Sequence, residues 1–111
     1  KPIVLNKVEI TLDEINLVKE GMKLVTTSGT ASSVFRSSGL SVAGKTGTAE
    51  TGRAGDDPEK NDYHGLFVGY SPVDNPEIAV AVIIEYGKNS SDSAAYVAKD
   101  VMEAYYSMKG E

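Results

Sequence analysis

The period of the apolar residues changes twice along the chain, and no other feature constrains its fold as much. Leu12, Ile15, Val18, Met22 and Val25 recur every three or four residues, which places them on one face of a helix. From Leu40 the spacing shortens. Leu40, Val42 and Gly44 alternate with Ser41, Ala43 and Lys45, as on a strand whose side chains point to opposite faces in turn. Ala94, Val97, Ala98, Val101, Met102, Tyr105 and Met108 then return to helical spacing. The order helix, strands, helix predicts an α+β fold, an antiparallel sheet with helices over one or both faces.

The element ends carry their own signals. Thr11-Leu12-Asp13-Glu14 reads as a capping box, with Ile10 and Ile15 placed for a hydrophobic staple, so a first helix is expected over about 11–26. Gly21 weakens that helix by roughly 1 kcal/mol relative to alanine. A short helical turn is expected from Thr30 to about Arg36, with Val34 and Phe35 facing inward. Strands are expected over about 40–49, 64–71 and 77–86. Ser71-Pro72-Val73-Asp74-Asn75-Pro76 is dense turn chemistry and joins the last two as a hairpin. The continuous apolar run of the third strand predicts burial on both faces. Asp56–Asp62, charged and carrying Pro58, is expected as an exposed loop. Ser91 or Asp92 is the expected cap of a final helix over about 92–108.

Composition removes several function classes. The 111 residues contain no cysteine, which excludes a disulfide scaffold, a thiolate zinc site and a cysteine nucleophile. One histidine, His64, cannot build a multi-histidine metal centre, and neither a metal nor a cofactor is expected. The net charge is −5 with no cluster of Lys and Arg, against nucleic acid as a partner. The longest apolar run, Ile78 to Ile84, is too short to cross a bilayer. Lys1-Pro2 lacks a signal-peptide pattern, leaving a cytosolic chain or a mature or trimmed part of an exported one.

Two motifs compete for one lysine. Gly39-Leu40-Ser41-Val42-Ala43-Gly44-Lys45-Thr46 matches the phosphate-binding pattern G-x-x-x-x-G-K-[ST]. That chemistry requires a strand before the loop and a helix directly after the lysine. Gly47-Thr48-Ala49-Glu50-Thr51-Gly52 is a poor helix, and Val34–Ser38 a poor strand. Val80–Glu85 has an acidic end like a Walker B strand, a feature common in any sheet. Lys45-Thr46-Gly47, by contrast, is the Lys-Thr-Gly signature of serine acyl-transfer enzymes that act on penicillins, and it lies in a strand with an antiparallel strand to follow.

The match extends beyond the triplet. Ala43–Glu50, then Phe67-Val68-Gly69-Tyr70-Ser71-Pro72, then Asn75–Val80, then an alanine-rich terminal helix, together with Gly29-Thr30-Ala31 upstream, resemble the C-terminal part of the transpeptidase domain of penicillin-binding proteins, in particular the class B, monofunctional type. The resemblance implies a β-lactamase/transpeptidase-like fold, residues 1–111 being one part of a single domain whose sheet has five strands. It implies a peptidoglycan DD-transpeptidase that cross-links cell-wall stem peptides. Lys45 would act as electrostatic anchor and proton-network member. Thr46 and Thr48 would bind the terminal carboxylate, Gly47 would let substrate approach the backbone, and the Thr48 amide would be an oxyanion donor. The implied partners are the D-Ala-D-Ala stem peptide, β-lactams and the rest of the domain, at the extracytoplasmic face of the bacterial plasma membrane. A β-lactam sensor or a β-lactamase-like hydrolase shares the motif, and a noncatalytic cell-wall binding module is a further alternative.

The family nucleophile sits in Ser-x-x-Lys, and no lysine here has serine three residues before it; Ser-x-Asn is absent too. The 111-residue chain alone is therefore expected to be inactive, its serine lying on a part of the domain outside this sequence. With a neighbouring strand missing, the edge of the third strand would be open and the isolated chain prone to oligomerise. His64, Arg53 and Glu85 have plain readings as strand-end or loop residues, with lining the cleft, touching substrate and supporting Lys45 as the functional alternatives. Asp56, Asp57, Glu59, Lys60 and Asp62 lack the alternating spacing of a calcium loop. Tyr86, Tyr96, Tyr105 and Tyr106 read as packing residues with surface hydroxyls. The segment from Glu50 to Tyr63 is either one lip of the cleft or a plain connection.

Overall fold

The computed structural model describes residues 1–50, 63–87 and 90–110. Arg53 and the charged segment Asp56–Asp62 lie outside the described residues. The elements are α1 (Leu12–Thr27), α2 (Ser32–Phe35), β1 (Ala43–Glu50), β2 (Tyr63–Ser71), β3 (Ile78–Ile84) and α3 (Ser90–Lys109). The strands form an antiparallel sheet in the order β1-β2-β3, and the α+β architecture stands.

The capping box forms as its residues dictate. The Glu14 amide donates to Thr11 Oγ1 at 3.2 Å, and the Thr11 amide donates to Glu14 Oε2 at 2.8 Å. The Thr11 amide first, and then the Thr11 hydroxyl donating to the same Oε2 at 2.9 Å, hold the Glu14 carboxyl below its ordinary pKa. A carboxylate with a depressed folded-state pKa contributes stability above its unfolded value and loses it as pH falls through the folded one. Denaturant unfolding from about pH 6 down to about pH 3 should thus show a steeper loss for the parent than for Glu14→Gln. Parallel curves would mean that ionisation of Glu14 adds nothing to stability.

The apolar face expected on α1 is only partly buried. Ile15, Met22 and Val25 are half-buried, whereas Leu12 and Val18 are exposed. The reason is where the helix touches the sheet. Its last turn is the anchor: the buried Thr26 hydroxyl donates to the Val42 carbonyl, and Val25 packs on the core. β1 begins at Ala43 rather than Leu40, because pairing with β2 starts at Ala43 opposite Tyr70. Leu40–Val42 is a lead-in, fastened where Ser41 Oγ accepts the Val73 amide at 3.2 Å. The second helix is likewise shorter than expected, Ser32–Phe35, with Val34 and Phe35 buried.

One face of the sheet carries the core. Thr46, Phe67 and Val82 lie in one row across it, and Gly44, Gly69 and Val80 in the next. The Phe67 ring lies over that glycine row. A Cβ on Gly69 would come within 2.7 Å of the ring and 2.9 Å of the Ala43 carbonyl, and one on Gly44 within 2.8 Å of the Val68 carbonyl. Bare backbone at these two positions is what lets the ring lie flat. Phe35 meets Phe67 with ring centroids 5.6 Å apart, and Ala94, Ala95, Ala98 and Met102 of α3 complete the cluster.

Two burial expectations fail for one physical reason. Alternate residues of β3 are exposed, Ile83 at 65%, instead of being buried on both faces. In α3 the row Ala94, Ala98, Met102 is buried, while Val97, Val101 and Met108 of the expected stripe are exposed. Among the described residues β3 meets α3 on one face, while α1 and α2 pack toward β1 and Phe67, so only the β3 and α3 side chains in that one interface leave water. The third strand coincides with the apolar run and is shorter than the expected 77–86, because Glu85 and Tyr86 turn away from it, Tyr86 with φ 55°. Helix α3 starts at Ser90, so Asp92 lies inside its first turn and not at the cap, still complementing the helix dipole. Its far end is tied to the β2–β3 connection. Tyr106 OH donates to Ser71 Oγ at 3.0 Å, and Lys109 pairs with Glu77. That hydrogen bond raises the Lys109 pKa, so its contribution is complete below the ordinary lysine value and is lost only as pH rises through the raised one.

Candidate active site

The site is built on β1, an edge strand that pairs with β2 alone among the described residues. Its other edge is open for an added extended segment, whose main chain would supply affinity by hydrogen bonding. Lys45, Thr46, Gly47 and Thr48 stand opposite Val68, Phe67, Leu66 and Gly65. Alternation divides them. Lys45 and Gly47 share the face that carries Leu66 and Val68, and Thr46 and Thr48 share the Phe67 face. A ligand lying along this edge can therefore meet a cation from one side of the ribbon and hydroxyls from the other.

Lys45 is exposed, and its Nζ donates to the Thr46 carbonyl at 2.7 Å. An ammonium has three donors, so among the described residues two remain after that bond. Thr46 is 8% exposed, and its hydroxyl lies 3.1 Å from Thr30 Oγ1. Thr48 is exposed. At Gly47 an added Cβ would make ordinary contact with Leu66 Cβ at 3.4 Å, so β2 does not itself demand a glycine there.

After Lys45 the chain stays extended through Glu50. No helix N-terminus follows the lysine, and the polyphosphate reading of Gly39–Thr46 fails on this point. The penicillin binding protein transpeptidase domain model matches residues 1–103.

The chain belongs to that family.

Penicillin-binding protein 2A of Bacillus subtilis is 35% identical over 119 residues, covering 100% of this chain and 16% of that protein. Peptidoglycan D,D-transpeptidase MrdA of Acinetobacter baumannii is 40% identical over 94 residues, covering 78% of this chain and 14% of that protein. A crystal structure of Pseudomonas aeruginosa PBP2 in complex with WCK 5153 superposes with a TM-score of 0.72 at 38% identity, over 94% of this chain and 23% of that one. The chain thus spans about one sixth of the length of the curated relatives it matches.

The other predicted residues of this transpeptidase-family chain fall outside the Lys-Thr-Gly strand. His64 lies opposite Ala49, with Nδ1 accepting the Tyr86 amide at 3.2 Å and its ring edge-on to Tyr86 at 5.0 Å. Glu85 sits beyond β3, with β2 between it and β1, and forms no ion pair with Lys45. Tyr86 and Tyr96 are about half-exposed, and Tyr105 and Tyr106 pack edge-to-face at 5.2 Å. A cavity of about 300 Å³ at the junction of α1, α2 and the β1 lead-in is lined by Lys23, Thr26, Arg36 and Ser41 among others, but by no residue of the Lys-Thr-Gly segment. Sequence reasoning missed Thr30 and Thr26. Each meets its β1-side partner 16 positions away, a separation with no periodic signal.

Proposed function

We propose that this chain is the C-terminal part of a class B peptidoglycan D,D-transpeptidase domain and supplies its carboxylate-binding strand. The observation that carries the reading is an edge strand with the exposed Lys45 on one face and, on the other, the exposed Thr48 beside the nearly buried Thr46. A peptide ending in D-Ala-D-Ala, or a β-lactam that mimics it, would lie along β1 with its terminal carboxylate held by Thr46 and Thr48. The Thr48 amide would help stabilise the oxyanion as the serine Oγ bonds to the penultimate carbonyl. Terminal D-alanine leaves with the serine's proton, and the amine of a neighbouring stem peptide then displaces the serine. Gly47 keeps the backbone open to that peptide.

The nucleophile is assigned to a part of the domain outside these 111 residues, since no Ser-x-x-Lys occurs in them. The chain by itself is accordingly inactive. Stem peptides, β-lactams and the remainder of the domain are its partners, at the outer face of the plasma membrane. The transpeptidase names of its relatives support this reading over a sensor or hydrolase. The test is to react the full-length protein with a fluorescent penicillin and digest it. Label is expected on a serine of a Ser-x-x-Lys outside this segment, with adduct loss far slower than its formation. Absence of any label refutes the reading, and rapid loss of the adduct makes the protein a hydrolase.

A further inference from the structure

We infer that Thr30 is a positioning residue for this site: its hydroxyl sets the direction in which Thr46 presents its proton, and so tunes recognition of a terminal carboxylate. The inference rests on the reading of Lys45–Thr48 as a carboxylate-binding strand and names a residue outside the Lys-Thr-Gly segment that acts on it.

The geometry is specific. Thr46 Oγ1 is in a nearly buried residue and lies 3.1 Å from Thr30 Oγ1, with either oxygen able to donate. Thr30 is carried on a turn that has little freedom. The Gly29 amide donates to the Leu24 carbonyl at 2.7 Å, the Ala31 amide to the Val25 carbonyl at 3.0 Å, and the Ser32 amide to the Gly29 carbonyl at 3.1 Å. Ala31 is fully buried, and a Cβ on Gly29 would come within 2.9 Å of Val25 Cα. The end of α1 thus fixes where the Thr30 hydroxyl sits.

Two hydroxyls at this distance hold two protons, and the bond between them uses one. When Thr30 donates, the Thr46 proton is released for an outside acceptor. When Thr46 donates, that proton is withdrawn from the strand edge. An anion at Thr46 selects the first arrangement, and the chain Thr30 to Thr46 to carboxylate strengthens as each bond polarises the next. Without the Thr30 hydroxyl, Thr46 Oγ1 loses its donor and the ligand loses that polarisation. Thr30 acts through Thr46 and need not touch the ligand.

The test uses the full-length protein with Thr30→Val, which keeps the shape and removes the hydroxyl, and Thr30→Ser, which keeps the hydroxyl. Second-order acylation rates are measured for a penicillin as the free acid and as its methyl ester. Thr30→Val should slow the free acid about tenfold, the upper end for a hydrogen bond between neutral groups, while changing the ester little. Thr30→Ser should restore the acid rate to within about threefold. In a Thr46→Val background, Thr30→Val should have no further effect, because the partner it acts through is gone. An equal loss for acid and ester, no loss, or full additivity with Thr46→Val overturns the inference alone, provided Lys45→Ala still impairs acylation. A Lys45→Ala protein that acylates like the parent overturns the carboxylate-strand reading and this inference with it.

Discussion

Replacing Lys45 by alanine in the full-length protein should slow acylation by a labelled penicillin about 100-fold, the scale seen when one preorganised group is removed from a site of developing charge. The fold should be unaffected. Lys45 is exposed, and among the described residues its ammonium hydrogen-bonds the neighbouring Thr46 carbonyl. An exposed lysine on an edge strand contributes little to stability, so a large kinetic effect with an unchanged unfolding midpoint isolates its role in recognition. The change should appear in the acylation step and not in the rate at which a formed adduct decays. Labelling at the parental rate would remove Lys45 from the mechanism.

Phe67→Ala should have the opposite profile, a large loss of stability through a residue two positions before Gly69 on β2. Phe67 is fully buried, stacks near Phe35, and lies over the Gly44–Gly69 row. Truncating a buried phenylalanine costs about 3–5 kcal/mol, and here the cavity is floored by backbone that cannot collapse into it. Denaturant unfolding of the full-length protein measures this. A loss below about 1 kcal/mol would mean that the surroundings close over the gap and that the ring does not organise this sheet. The two substitutions bracket the strand: Lys45 reads out what the Lys-Thr-Gly segment does, and Phe67 what holds it in place.

The split between what local spacing reveals and what it hides follows from range. Thr11 and Glu14 are three residues apart, so the capping box was legible from residue types alone. The Lys-Thr-Gly strand was legible because Gly47 and Thr48 disfavour the helix that a phosphate loop needs. Burial was legible only where several elements converge. Ala94, Ala98 and Met102 face the sheet as their spacing predicts, but the same stripe includes Val97 and Val101, which are exposed. Helical periodicity identifies an apolar arc and does not say how much of it one neighbour covers. The apolar run of β3 misled for the same reason, since seven apolar residues in a row describe a strand made for two covered faces, and one is covered here. The Thr30–Thr46 pair could not be read at all, because it arises from how the end of α1 docks on the sheet rather than from any repeat.

The uncovered face of the sheet bears on how such a segment can be handled. Val68 and Ile83 stand on it roughly half or more exposed, and β3 has an unpaired edge among the described residues. Greasy wall and bare hydrogen-bonding rim together form an adhesive surface, and like copies brought near one another satisfy both at once. A polypeptide trimmed to these boundaries is therefore a poor stand-in for the intact protein in any assay run at high concentration, where copies would associate through β3 and its uncovered face.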